Sequence, residues 1–190
     1  MSKRAIFLDR DAALLDTAVN PADPRSMTLC NGAGAALRLL ARLDFCFVVL
    51  SQQDGIAHGQ LDESALRVLQ HRLADLLFRE QLVLEGDYYC PHDPDGTVPK
   101  YALACLCRKP MPGLLLRAAN EHHIDLHESW MIGDLLHDVE AGTRAGCRTV
   151  LIDRGKETEW RLGTHRLPTC VVTDIYAAAV VILAAEGEYR

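Results

Sequence analysis

The sequence predicts an α/β protein, a Rossmann-like parallel sheet with helices on both faces. Three observations predict it. Short, continuous runs of β-prone apolar residues recur along the 190-residue chain, as strands buried on both faces require. Longer segments between them carry apolar residues at helical spacing. The connections are short, and strand–helix–strand order with short connections builds parallel crossover units.

The elements follow in order. RAIFL (4–8) reads as a buried strand ending at Asp9. GAGAALRLLARL (32–43) places Leu37, Leu40 and Leu43 on one helical side. FCFVVL (45–50) is a second buried strand. Residues 62–79 form a helix opened by Asp62 as N-cap, with Leu66, Leu69, Leu73, Leu76 and Leu77 as its core stripe. GDYYC (86–90) is a third strand. PGLLLRAANEHH (112–123) starts a helix with Pro112 near its first turn. SWMIGD (129–134) is a strand ending in Gly-Asp, DVEAGTRAG (138–146) a helix closed by Gly146, and TVLID (149–153) another strand. TCVVTD (169–174) and an Ala/Val-rich helix finish the chain. No internal repeat or low-complexity linker interrupts it, so residues 1–190 are expected to form one domain.

The formal net charge is −6, which offers no electrostatic footprint for nucleic acid or an anionic membrane. The first apolar run is cut by Asp9, too soon for a signal peptide or membrane span. A cytoplasmic monomer with neither nucleic-acid nor membrane partner is expected. Seven cysteines are present, an odd number without an export signal. Clustered Cys and His in such a chain favour metal over disulfide. Cys46 and Cys147, and with them Cys30 and Cys170, read as small buried hydrophobes.

In open parallel sheets ligands sit outside the carboxyl ends of the strands, which directs attention to Asp9, Ser51 and Asp134. Asp9 and Asp11 stand two apart just past a strand, where one carboxylate can ligate a hard cation or attack an electrophile while the other handles protons. Two surface loop carboxylates would look the same in this segment alone. Ser51 and Gln52 open a polar, Gly-containing turn suited to a phosphate. Arg108 and Lys109 would neutralise phosphoryl oxygens. Asp134 can ligate Mg²⁺ through oxygen, while Asp138, four residues on, suits the positive end of a helix. Cys90, His92, Cys105 and Cys107 form a three-sulfur, one-nitrogen set with no open position for water, as structural zinc prefers. Such an ion would staple the loop 90–107 and fix the base of Arg108 and Lys109.

Together these segments resemble the haloacid-dehalogenase-like phosphatases, and within them the heptose-bisphosphate and histidinol-phosphate phosphatase family. The matching stretches are FLDRD (7–11), VVLSQQDGIAHG (48–59), YYCPHDPDG…CLCRKPMPG (88–113) and MIGDLLHD (131–138). The resemblance implies a fold without a large cap domain and a Mg²⁺-dependent phosphomonoester hydrolase acting on a small phosphorylated molecule. Asp9 would attack phosphorus and become an aspartyl phosphate. Asp11 would protonate the leaving oxygen and then activate water. Asp9, the backbone carbonyl of Asp11, and Asp134 would bind Mg²⁺, and Ser51 and Lys109 would hold the transferring group. The long DPDGTVPKYALA insert is similar to the heptose-bisphosphate branch, whereas Asp54 is more like the histidinol-phosphate branch. The loop directly frames the substrate, so a sugar phosphate is the expected substrate.

The sequence also departs from the family pattern. Ala12-Ala13 replace Gly-Thr, His58 replaces an Arg, Leu135 replaces a Lys, Ser51-Gln52-Gln53 replace Thr-Asn-Gln, and Val19-Asn20 stand near a missing Gly-Tyr. The groups of the central chemistry are spared but their surroundings are thinned. The alternatives are a histidinol-phosphate phosphatase and a zinc-stabilised protein that binds a phosphorylated ligand with weak or no turnover.

Overall fold

In a computed structural model, residues 2–16, 23–155, 161 and 163–187 are described. The apolar runs form the expected strands: β1 (Arg4–Asp9), β2 (Phe45–Gln52), β3 (Leu84–Cys90), β4 (Trp130–Gly133) and β5 (Arg148–Ile152). Cys170–Val172 adds a short β6. All pairings are parallel, in the order β3-β2-β1-β4-β5-β6. The chain therefore builds outward from β1 in one direction and from β4 in the other. Their junction is the switch point at which such sheets bind ligands.

Among the described residues, six helices cover the sheet: α1 (Ala33–Leu40), α2 (Asp54–Ala57), α3 (Glu63–Arg79), α4 (Gly113–His122), α5 (Leu136–Ala145) and α6 (Ile175–Ala185). One core packs α1, α3 and α6 against Ile6, Leu8, Val49 and Ile132. The second packs α4 and α5 against Phe7, Val48, Leu50 and Met131. Alternation along each strand splits these sets between the two faces.

Helix ends differ modestly from expectation. Asp62 caps α3 by accepting the Ala65 N–H at 2.7 Å. Helix α1 stops at Leu40, because Arg42 and Leu43 bond three residues back in a tightened final turn. Helix α5 begins two residues before the expected start, since the Asp138 carboxylate reaches back to accept the Leu135 N–H at 3.1 Å. Gly146 closes it in the left-handed conformation, φ 96°. The segment around Val19-Asn20 lies outside the described residues.

Candidate active site

Strand β1 delivers Asp9 to the switch point, and the chain turns away at once through a single π-helical turn, Arg10–Leu14. Such irregular turns are frequent at functional sites. Register sets Leu8 beside Ile132, so Asp9 is level with Gly133 and Asp134 follows directly on the neighbouring strand. Both residues are buried, each 8% exposed. Hard oxygen donors brought together at two adjacent strand ends suit Mg²⁺.

Arg10 is buried and donates to Asp11 through Nε at 2.9 Å and Nη2 at 3.1 Å. The Asp11 side chain remains 41% open to solvent. Burial of its carboxyl among protein atoms raises its pKa against the pull of Arg10. A raised carboxyl suits a group that must carry a proton to a leaving oxygen. Ala13 is fully buried in the larger core. The methyl that replaces the family's hydroxyl there makes apolar contacts.

Ser51 is buried at the end of β2, and Gln52 beside it is partly buried. The Gln53 N–H donates to the Cys90 carbonyl at 2.8 Å, tying this turn to the base of the Cys/His loop.

Lys109 is almost fully buried, and its Nζ donates to both Asp9 Oδ1 and Asp138 Oδ1. Burial works against its charge, but Asp138 and Asp9 together outweigh that cost and raise its pKa. Burial pushes Asp138 upward, while Lys109 pulls it back. Asp138 thus does more than the helix-end role its position suggests. One oxygen caps α5 and the other anchors Lys109. Gly133 makes room for it, since a Cβ there would fall 2.3 Å from the Asp138 Cβ. The legible signal was the carboxylate four residues after Asp134, behind a Gly.

The four donors of Cys90, His92, Cys105 and Cys107 lie within 4.8 Å of one another. Sulfur separations are 3.2 Å for Cys107–Cys90 and Cys107–Cys105, and 3.6 Å for Cys90–Cys105. His92 Nδ1 lies 3.3 Å from the Cys107 sulfur and 3.7 Å from that of Cys90. Bonds of about 2.3 Å to a tetrahedral ion require donor separations of roughly 3.8 Å, so small shifts would seat one. The close contact of the Cys90 and Cys107 sulfurs pushes the Cys90 thiol up and draws Cys107 down to about 5. The set can therefore supply a thiolate near neutral pH. The loop's seating on α4 demands glycine: a Cβ on Gly113 would meet the Leu106 carbonyl oxygen at 2.2 Å.

Arg108 reaches to the helix that follows β2. It forks onto Asp54 of α2, through Nη1 to Oδ1 and through Nη2 to Oδ2 at 3.1 Å. His58 faces Asp93 at 3.2 Å. Leu135 is 39% exposed beside the start of α5. On β3, both Asp87 carboxylate oxygens are buried and, among the described residues, neither meets full hydrogen-bond geometry; burial raises that carboxyl to about 6 against the pull of the Gln70 side chain. Asp54, Asp87 and Asp93 carry structural consequences that no local periodicity announces.

The fold and the strand-end chemistry at its switch point define the haloacid-dehalogenase-like class. A family model described as "HAD-hyrolase-like" matches residues 106–178. The chain is 38% identical over 153 residues to the D-glycero-beta-D-manno-heptose-1,7-bisphosphate 7-phosphatase of Escherichia coli K12, covering 80% of each chain. It is also 38% identical to the enzyme of that name from Haemophilus ducreyi, over 82% of this chain and 86% of the relative. A D,D-heptose 1,7-bisphosphate phosphatase from B. bronchiseptica, solved with magnesium and phosphate, superposes with a TM-score of 0.79. It is 28% identical and aligns over 96% of this chain and 99% of its own. A putative haloacid-dehalogenase-like phosphatase from Mesorhizobium loti superposes with a TM-score of 0.82 at 29% identity, over 97% and 85% of the two chains. The chain belongs to the family of these heptose-bisphosphate phosphatases, within the haloacid-dehalogenase-like hydrolases, and is a phosphatase.

Proposed function

We propose that the protein hydrolyses a phosphorylated sugar through an aspartyl-phosphate intermediate on Asp9. The contact of the buried Lys109 with the Asp9 carboxylate, at the carboxyl end of β1, carries this reading. An Asp9 oxygen forms a bond to phosphorus as the ester P–O bond breaks. Asp11 gives its proton to the departing sugar oxygen. Asp11, now a carboxylate, takes a proton from water, whose oxygen attacks the same phosphorus and releases inorganic phosphate and free Asp9. Lys109 and Ser51 hold the phosphoryl oxygens in line, with Gln52 and Arg108 flanking the substrate. Alignment and charge neutralisation are most of what phosphoryl transfer asks of a protein.

Asp9, the Asp11 backbone carbonyl, and Asp134 would hold Mg²⁺, which when bound neutralises charge on the phosphoryl oxygens. Cys90, His92, Cys105 and Cys107 would hold structural zinc and fix the loop 90–107 that leads into Lys109. In this reading residues 1–190 act as one cytoplasmic domain, a monomer whose partner is its small-molecule substrate. Among the described residues no helix is long and apolar enough to cross a membrane. Kinship with phosphatases favours turnover over ligand binding alone.

Phosphate release from a panel of sugar phosphates, sugar bisphosphates and amino-alcohol phosphates, with Mg²⁺ present and then chelated, tests the proposal. Heptose 1,7-bisphosphate, the substrate in the relatives' names, is the first to assay. Release from a sugar phosphate that stops on chelation is expected. Release only from histidinol phosphate would move the substrate to the other branch.

A further inference from the structure

Helix α5 carries a second charged cluster, which the reaction at Asp9 leaves unused. Arg144 donates to Glu140 Oε1 through Nε at 2.9 Å and through Nη2 at 2.7 Å. Arg166 donates through Nε to Glu140 Oε2 at 2.7 Å. Burial pushes the Glu140 carboxyl up, but Arg166 and Arg144 together draw it below its ordinary value. It is therefore ionised and engaged at both oxygens. These contacts border a cavity of about 380 Å³, lined also by Arg161, Thr164 and His165. Three guanidiniums thus face one carboxylate, a positive surplus in a chain whose formal net charge is −6. Among the described residues Arg161 has no hydrogen-bond or ion-pair partner, and the Nη atoms of Arg166 have none either. Glu140 follows Asp138 by two residues, roughly 200° around the helix. The cluster therefore stands on the opposite side of α5 from the Lys109 contact.

We propose that this cavity is a second, non-catalytic site for a phosphate-bearing anion. A tetrahedral oxyanion offers guanidiniums the paired acceptors they bind best, and it offsets the surplus charge. Only 18% of the Arg166 side chain is open to solvent, and Glu140 already pins it. Little side-chain freedom remains to be lost there when an anion arrives. The Thr164 hydroxyl and the His165 ring can donate as well. The volume is at the lower end of small-molecule sites, so it admits free phosphate or the phosphate head of a small ester. The bound anion ties residues 163–166 to α5.

Calorimetric titration of the full chain with inorganic phosphate, and of the Asp9→Asn chain with glucose 6-phosphate, tests this. For each ligand the quantity read is the binding lost on Arg161→Gln. That variant gives up no partner within the described residues, so its melting temperature should stay unchanged. It should weaken phosphate binding at this site about tenfold, the worth of one charge-assisted contact. Adding Arg144→Gln should weaken it further, while Arg161→Lys, which keeps the charge, should restore most of it. A loss seen with phosphate alone makes the ligand the free oxyanion; a loss with both ligands makes it a phosphoester site too. The kcat of Arg161→Gln on the best sugar phosphate should stay within about twofold of the parent. Two results would overturn the proposal: affinities for both ligands that the Arg161 and Arg144 changes leave unaltered, or a weakened affinity that comes with a tenfold fall in kcat. The second would place the phosphate at the catalytic centre instead.

Discussion

Lys109 and Asp138 form an ion pair buried at the switch point, with Nζ 2.5 Å from Oδ1. The other Asp138 oxygen caps α5, so one carboxylate fixes both a helix start and the lysine that touches Asp9. Removing it should cost both stability and rate. Asp138→Ala is expected to destabilise the protein by roughly 1–3 kcal/mol, since it removes the cap of α5 and one of the two carboxylates that hold the buried lysine. It should also lower kcat by about a hundredfold. Denaturant unfolding and steady-state kinetics on the best sugar phosphate check the two effects separately. A stable variant with wild-type kcat would remove Asp138 from any part in positioning Lys109.

Asp9→Asn should abolish turnover while leaving the fold intact, because an amide does not form the phospho-enzyme. Circular dichroism and phosphate release measure the two. Beryllofluoride, a mimic of the aspartyl phosphate, should bind only when Asp9 and Mg²⁺ are both present. Near wild-type activity in this variant would rule out the covalent route.

Purified protein, prepared without chelator, should carry about one zinc per chain. Cys105→Ser should reduce that content and lower stability with it, because binding energy at a site that forms only on folding is folding energy. Metal analysis by plasma emission, alongside thermal melts, checks both. Zinc-free protein with an unchanged melt would sink this assignment.

Asp87 sets a pH dependence of stability. Its carboxyl is raised to about 6 by burial, above the unfolded value of about 3.9. A raised carboxyl contributes stability below the unfolded pKa and loses it as pH climbs through the folded one. Asp87→Asn should therefore stabilise the protein by about 1–3 kcal/mol at pH 8, with the gain fading toward pH 4. Denaturant midpoints across that range provide the measurement. A gain that was constant with pH would show that some other property of the amide is responsible.

Leu135 projects partly into solvent at the N-terminus of α5, next to the Asp134 carboxylate. Where relatives are expected to offer a lysine, this chain offers none, so turnover should be real but slow. Leu135→Lys should raise kcat by about tenfold or more if the new ammonium reaches the phosphoryl group. An unchanged rate would mean that Lys109 alone supplies the needed charge.

Much of the molecule was legible before any coordinates. RAIFL and FCFVVL are strands because continuous β-prone runs bury both faces, and their ends mark Asp9 and Ser51 as residues of the sheet's carboxyl edge. The Cys90–Cys107 quartet was legible because ligand type and spacing are local properties of one loop. The tertiary structure alone decided which charges meet. Lys109 joins Asp9 across 100 residues and Asp138 across 29, Arg108 joins Asp54 across 54, and His58 joins Asp93 across 35. Those pairings follow from strand order, which sets β1 between β2 and β4. Ala13 illustrates the same limit. Its departure from the family's Gly-Thr suggested a thinned site, but the π-helical turn after β1 carries its methyl into the core. Local spacing records the period of an element and which of its faces is apolar. Which distant side chains share one site depends on how the sheet stacks those elements, and that is a property of the whole chain.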